Sequence, residues 1–331
     1  KAIVVNTGVL NTNGVLNGAG SNFTPWTPMN VKSGVQVAFD GAGKTISGLY
    51  FKDGNTNYVG LFGDMMGELS ISDLGVNDSY FKGRDLVGGL VGFSDYGGTL
   101  TITNSYNSGT VSGDNNVGGL VGRNGGSLTI ENSYNVGAMP GKRNVGGLVG
   151  RNSGVNAKLT ITNSYNARTV SGVDVNVGGL VGYSDHTLTI TNSYSTGHVS
   201  GPDYVGGLLG GNGGKNAKLP ITSSFFLATG KSGDNYGGTG KSADEFHNGT
   251  VALLLRNWCE MDGDNCKEDG LNGAVWGQNV GQASDNDAAP TLSGVLKLGP
   301  LTVAKDAAGK DSAAIDGNSA LEVKIPADIH V

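Results

Sequence analysis

The chain has 331 residues and a formal net charge of −6, with only 15% charged residues and 59 glycines against 8 prolines. This acidic balance, with no dense Lys/Arg cluster, excludes a nucleic-acid footprint. The longest apolar run, Val251 to Leu255, is far short of the ~18 residues needed to span a bilayer. Glycine at this abundance means either a flexible tract or a turn-dense repeat, and a fixed period separates the two.

The chain opens at Lys1 without a Met or a basic-then-apolar leader, as expected of a processed chain or an excised fragment. Within residues 1–58, Val35 to Phe39 and Ile46 to Phe51 alternate as strands leading into the repeats. Over 59–230 the glycines are periodic. VGGLVG recurs at Val87, Val117, Val145 and Val177, with VGGLLG at Val205 and a degenerate VGLFG at Val59. The spacings are 28, 30, 28, 32 and 28 residues. Each copy is followed by LTITNSYN or a close variant, at Leu100, Leu128, Leu159, Leu188 and, faded, Leu219. The distance from the VGG to the NSY varies while the return distance hardly does, so the variable loop follows VGGLVG.

Three short β-prone runs per unit, punctuated by Gly, Asn and Asp, are what one rung of a parallel β-helix needs. The predicted fold is all-β, a right-handed parallel β-helix of about six 28–32-residue rungs with capping segments. A rung cannot bury its apolar face alone, so like stacks on like: Leu90, Leu120, Leu148, Leu180 and Leu208 form the predicted core column. In the same register stack Ile102, Ile130, Ile161, Ile190 and Ile221, and also Tyr106, Tyr134, Tyr165 and Tyr194. Asn104, Asn132, Asn163 and Asn192 are placed to form an asparagine ladder. Residues 231–290 read as a C-terminal cap: Ser242-Ala-Asp-Glu is an N-cap with an acidic first turn, followed by the apolar Val251 run. Residues 291–331 carry alternating stretches such as Val295-Leu-Lys-Leu, which are further strands or the start of a next module.

VGGLVG followed by NSYN-x-G-x-V resembles the GLUG-motif repeats of large secreted bacterial surface proteins. These include haemagglutinin-like exoproteins, autotransporter passengers and the repeat regions of IgA-cleaving metallopeptidases. The lead-in from Phe39 to Phe51, the trailing TGKSADEF from Thr239 and the VWG at Val275 resemble sequence that brackets such repeats. The resemblance implies a secreted or cell-surface location, an outer-membrane transporter serving the parent protein, and attachment to a host receptor or glycan. It is specific for the repeat class and not for one activity, because folds of this kind serve as scaffolds. In an exported protein, Cys259 and Cys266 read as a short-range disulfide.

Catalytic signatures are sparse. His186, His198, His247 and His330 stand singly, without the HExxH spacing of a zinc protease, and no GxSxG or P-loop stands between a strand and a helix. The cysteines and the acidic loop around Asp262 and Asp264 match no common zinc or calcium pattern. No cofactor, metal or catalytic residue is therefore expected. A polysaccharide lyase or hydrolase would need converging carboxylates, and Asp95 and Asp185 lie too many rungs apart. The position after VGGLVG varies where its neighbours do not: Phe93, Arg123, Arg151, Tyr183, then Gly211. With Asp95, Asn124, Asn152 and Asp185 alongside, it forms a candidate ligand-binding stripe suited to sugars or acidic glycans. A solvated ladder of cation–π contacts is the alternative. The sequence reading is thus an adhesin; the alternatives are a polysaccharide-acting enzyme and a spacer within a larger secreted protease.

Overall fold

The structure, a computed structural model, describes residues 2–214, 218–228, 237–247 and 250–255, with short separate segments between 261 and 321. It divides into two units, Lys1–Lys241 and Ser242–Val331. The first is an all-β parallel solenoid of about six turns. Three sheets run along it, of 14, 9 and 7 strands. The third, which carries the candidate site, stacks strands 29–31, 62–65, 91–94, 121–124, 149–152, 181–184 and 209–212 in chain order.

Register follows the repeat. Leu100 pairs with Leu128, Leu128 with Leu159 and Leu159 with Leu188, and the isoleucines two residues on do the same. Both columns point inward, with Leu90, Leu120, Leu148, Leu180 and Leu208 all at 0% exposure. The corner that carries this last column is itself hydrogen-bonded from rung to rung, each leucine N–H donating to the next leucine carbonyl at 2.8–3.0 Å. The second glycine of VGGLVG has a steric reason: a Cβ on Gly147 would collide with the Gly179 carbonyl and the Asn166 side chain.

Each residue of NSYN has a separate task. The first asparagine (Asn104, Asn132, Asn163, Asn192) turns the chain with φ of 48–49°, the left-handed region that asparagine tolerates best after glycine. Its expected ladder is present only in part, with Asn163 donating to Asn132 at 3.1 Å and Asn104 to Asp73 at 3.0 Å. The serine is fully buried. Its Oγ donates to the carbonyl two residues back and accepts the N–H of the serine one rung earlier, as in Ser133 with Glu131 and Ser105. The tyrosines stack almost parallel at centroid separations of 4.9, 4.8 and 5.0 Å. The last asparagine forms the continuous buried ladder, Asn107 to Asn135 to Asn166, each amide donating to the next at 2.9 Å.

The segment 2–28 is mostly irregular and is tied to the solenoid by polar contacts. Asp78 accepts the N–H groups of Val9 and Leu10, and Asn6 bridges Thr24 and Gly48. In the second unit, Ser242 and Glu245 close a reciprocal capping box at the start of helix Ala243–His247, and a second helix spans Thr250–Leu255. Cys259 lies outside the described residues, and the disulfide expectation with it; Cys266 sits in a two-residue strand paired antiparallel with 261–262. Strands 301–305, 311–315 and 319–321 form an antiparallel sheet.

Two predictions test the buried columns. Asn135→Ala removes a donor and an acceptor at once, and should cost about 1–3 kcal/mol for each ladder partner left unpaired, measured by denaturant unfolding. Burial, with the adjoining phenol, pushes the hydroxyls of Tyr165 and Tyr194 well above the ordinary tyrosine range. The native state therefore holds these protons after the unfolded chain has released them, so stability should fall as pH rises through about 10. A thermal scan against pH should show that fall in the wild type and a shallower one in Tyr194→Phe.

Candidate functional site

The strand after each VGGL corner reads V-G-x-N or V-G-x-S, and LGGN in the last copy. Its valine faces the core, and its x position registers from rung to rung as Asp64, Phe93, Arg123, Arg151, Tyr183 and Gly211. At the usual strand spacing, the run from Asp64 to Tyr183 covers roughly 19 Å. These residues share one register column, and it begins one rung earlier than Phe93. Asp64 escaped the sequence reading because the first rung, VGLFGD, is one glycine short; aligning on its Leu-Phe-Gly would have recovered the column.

Phe93 is buried, yet its ring is the hinge of an aromatic cluster, 5.9 Å from Tyr58 and 6.1 Å from Tyr96. Tyr58 and Tyr96 are exposed and lie outside the repeat consensus, so periodicity did not point to them. The Arg123 guanidinium sits between two rings, 5.5 Å from Phe93 and 5.6 Å from Tyr96. It donates to the Tyr96 hydroxyl at 2.8 Å and to the Ser153 carbonyl at 3.1 and 3.3 Å. Arg123 makes no ion pair among the described residues. Arg151 stacks over Tyr183 at 5.1 Å and pairs with Asp185 at 3.3 Å, and His186 approaches the other Asp185 oxygen at 3.6 Å. Burial raises the Tyr183 hydroxyl pKa, as does the Asp185 charge, while Arg151 opposes both.

Asn124 and Asn152 do not belong to this surface. Both are at 0% exposure and form a second interior ladder, Asn124 to Asn152 at 2.8 Å and Asn152 to the Ser184 hydroxyl at 3.0 Å. Adjacent residues of a strand face opposite sides, so with Arg123 and Arg151 outward the residue that follows each points inward. Asp95 lies far from Asp185 as expected, but its carboxylate neighbour is Asp64. Burial, then the Asp95 charge, holds the Asp64 carboxyl above the ordinary carboxylate range. Its Oδ1 is buried without a hydrogen-bond partner, as are Asp185 Oδ1 and Arg151 Nε. Among the described residues no three metal-ligating side chains converge. Of the other histidines, His198 and His247 are exposed and His330 lies outside the described residues.

No family model and no curated protein matches the chain. A solved structure that does resemble it is described as a "putative immunoglobulin A1 protease" from Bacteroides ovatus. It superposes with a TM-score of 0.54 at 18% identity, covering 83% of each chain. At that identity the likeness concerns the fold, a solenoid shared over most of both chains.

The Asp64 environment sets a stability prediction. A carboxyl whose pKa is raised on folding destabilises the native state once ionised, so the penalty is absent below the unfolded value near ~4 and grows as pH rises through the folded one. Asp64→Asn should therefore melt higher than wild type at neutral pH, and the gain should vanish in strongly acidic buffer.

Proposed function

We propose that this chain is the glycan-binding solenoid of a secreted bacterial surface protein, an adhesin segment that attaches to saccharides on host cells through the stripe on its third sheet. The observation that carries this reading is Arg123, a guanidinium between two aromatic rings with no carboxylate partner, beside the Arg151–Tyr183 stack. Flat apolar faces match the C–H faces of pyranose rings, and a planar cation with directed N–H donors matches an acidic sugar substituent. This reading takes the surface to bind rather than to react. An outer-membrane transporter would deliver the parent protein to the surface.

A second reading is favoured by the description of the Bacteroides ovatus structure. In it the solenoid is a spacer for a protease domain carried elsewhere, and the stripe is a solvated cation–π ladder. The two readings differ in what the arginines do. On a glycan array, the Arg123→Ala/Arg151→Ala double variant should lose at least about tenfold in affinity for acidic glycans, corresponding to ~1.4 kcal/mol, with its melting temperature little changed. Unchanged binding would leave the spacer reading in place.

A further inference from the structure

At the N-terminal end of the stripe, the extended segment 25–30 and the corner 50–58 enclose a groove of about 580 Å³ with Asp64 in its wall. That volume falls in the range of small-ligand sites, about 300–1,000 Å³. The groups facing it come from three parts of the chain, and several are left half-used by the fold. Asn30 spends its Oδ1 on the Asp64 N–H at 2.9 Å, and Asn57 spends its Oδ1 on Arg84 Nε at 3.1 Å. The amide nitrogens of both make no hydrogen bond to the protein among the described residues. Asp64 Oδ1 is buried and unpaired. Tyr58 is held with φ of 63° and is 40% exposed, its ring against Phe93, so the groove and the stripe share an aromatic wall.

We propose that this groove is a binding subsite for an uncharged sugar residue, in which Asp64 accepts a ligand hydroxyl hydrogen, the Asn30 and Asn57 amides donate to ligand oxygens, and Tyr58 flanks the ring. The inference rests on the glycan-binding reading and extends it: an acidic unit lies at Arg123 and Arg151, and a neutral unit continues toward the N-terminal end. The mixture of groups selects the ligand. A hydroxyl both donates and accepts, so it can pair with a carboxylate and with a free amide N–H together. An anion would meet Asp53 and Asp64 in the groove, with Asp95 behind. Lys52, the lysine of the groove, is already committed to the Ala19 carbonyl. A cation would be opposed by the amide N–H groups, which have no role in holding one.

The test measures affinities of the whole chain for immobilised hexose oligosaccharides of increasing length, with and without a terminal sialic acid or uronic acid. Wild type is compared with Asp64→Asn, Asn57→Ala and the Arg123→Ala/Arg151→Ala double variant, with melting curves for each. Asp64→Asn keeps the shape of the side chain and is expected to be at least as stable as wild type, so loss of binding cannot be assigned to unfolding. The expected result is that both groove variants lose about tenfold or more for the longer, neutral-extended glycans and bind the short acidic ones as wild type does. Groove variants indistinguishable from wild type on every glycan overturn the subsite while leaving the stripe intact. Loss in the groove variants with none in the double arginine variant supports the groove and removes the stripe instead. Absence of binding by the wild type to every oligosaccharide overturns both.

Discussion

From the strand at 62–65 onward each repeat rung of this solenoid lies in register on the next, and that single constraint governs which residues its interior accepts. In a parallel stack, each side chain meets its own counterpart about 4.8 Å away. An interior column must therefore be complementary to itself. Leucine and isoleucine satisfy this by contact alone. Among polar side chains, the carboxamide does so by donating to one neighbour and accepting from the other, as Asn135 does between Asn107 and Asn166. Serine manages it through the backbone, its hydroxyl closing one carbonyl and one N–H. A carboxylate or ammonium column would place like charges at the same separation with no donor or acceptor to offset them. The nearest approach to that situation, Asp64 beside Asp95, lies on the outer face, and the field of one carboxylate is visible in the other.

The same constraint explains which parts of the structure were legible in the sequence. Columns that repeat in identity and face the core, such as Leu120 or Ile130, could be read directly, because period and hydrophobicity point the same way. Asparagine could not be assigned from period alone. Asn104 and Asn107 recur with the same spacing, yet the first serves its backbone conformation, at φ of 49°, and the second serves the buried ladder. Asn124 and Asn152 were misplaced onto the surface for a related reason. Each directly follows a residue of the outer column, and adjacent residues of a strand face opposite sides, so they point inward. Tyr96 belongs to no repeat, and Tyr58 stands one residue before Val59 in a column otherwise filled by Leu86, Asn116, Asn144, Asn176 and Tyr204, so identity did not single it out beside Phe93.

The interior and the outer stripe also differ in how completely their polar groups are paired. The ladders of Asn107, Asn124 and the serines close nearly every buried donor and acceptor, as a stable interior requires. Away from them, four of the unpaired buried atoms gather in one region, while Asn77 Oδ1 and Asn192 Oδ1 stand apart from it. Asp64 Oδ1, Ser94 Oγ, Arg151 Nε and Asp185 Oδ1 all lack hydrogen-bond partners, and all four belong to the third-sheet strands or to the residue that follows one. Repetition would have been the cheap remedy, since an asparagine or a threonine in that column would pair with itself as the interior does. The column instead holds Asp, Phe, Arg, Arg and Tyr in succession, a series that cannot be self-complementary. Under the proposed glycan-binding reading, a ligand outside the stack accounts for residues that break the stacking rule and leave atoms unpaired, and the rings and guanidinium groups beside them suit a sugar. On that reading, the repeated residues account for stability, and recognition falls to the column where repetition stops.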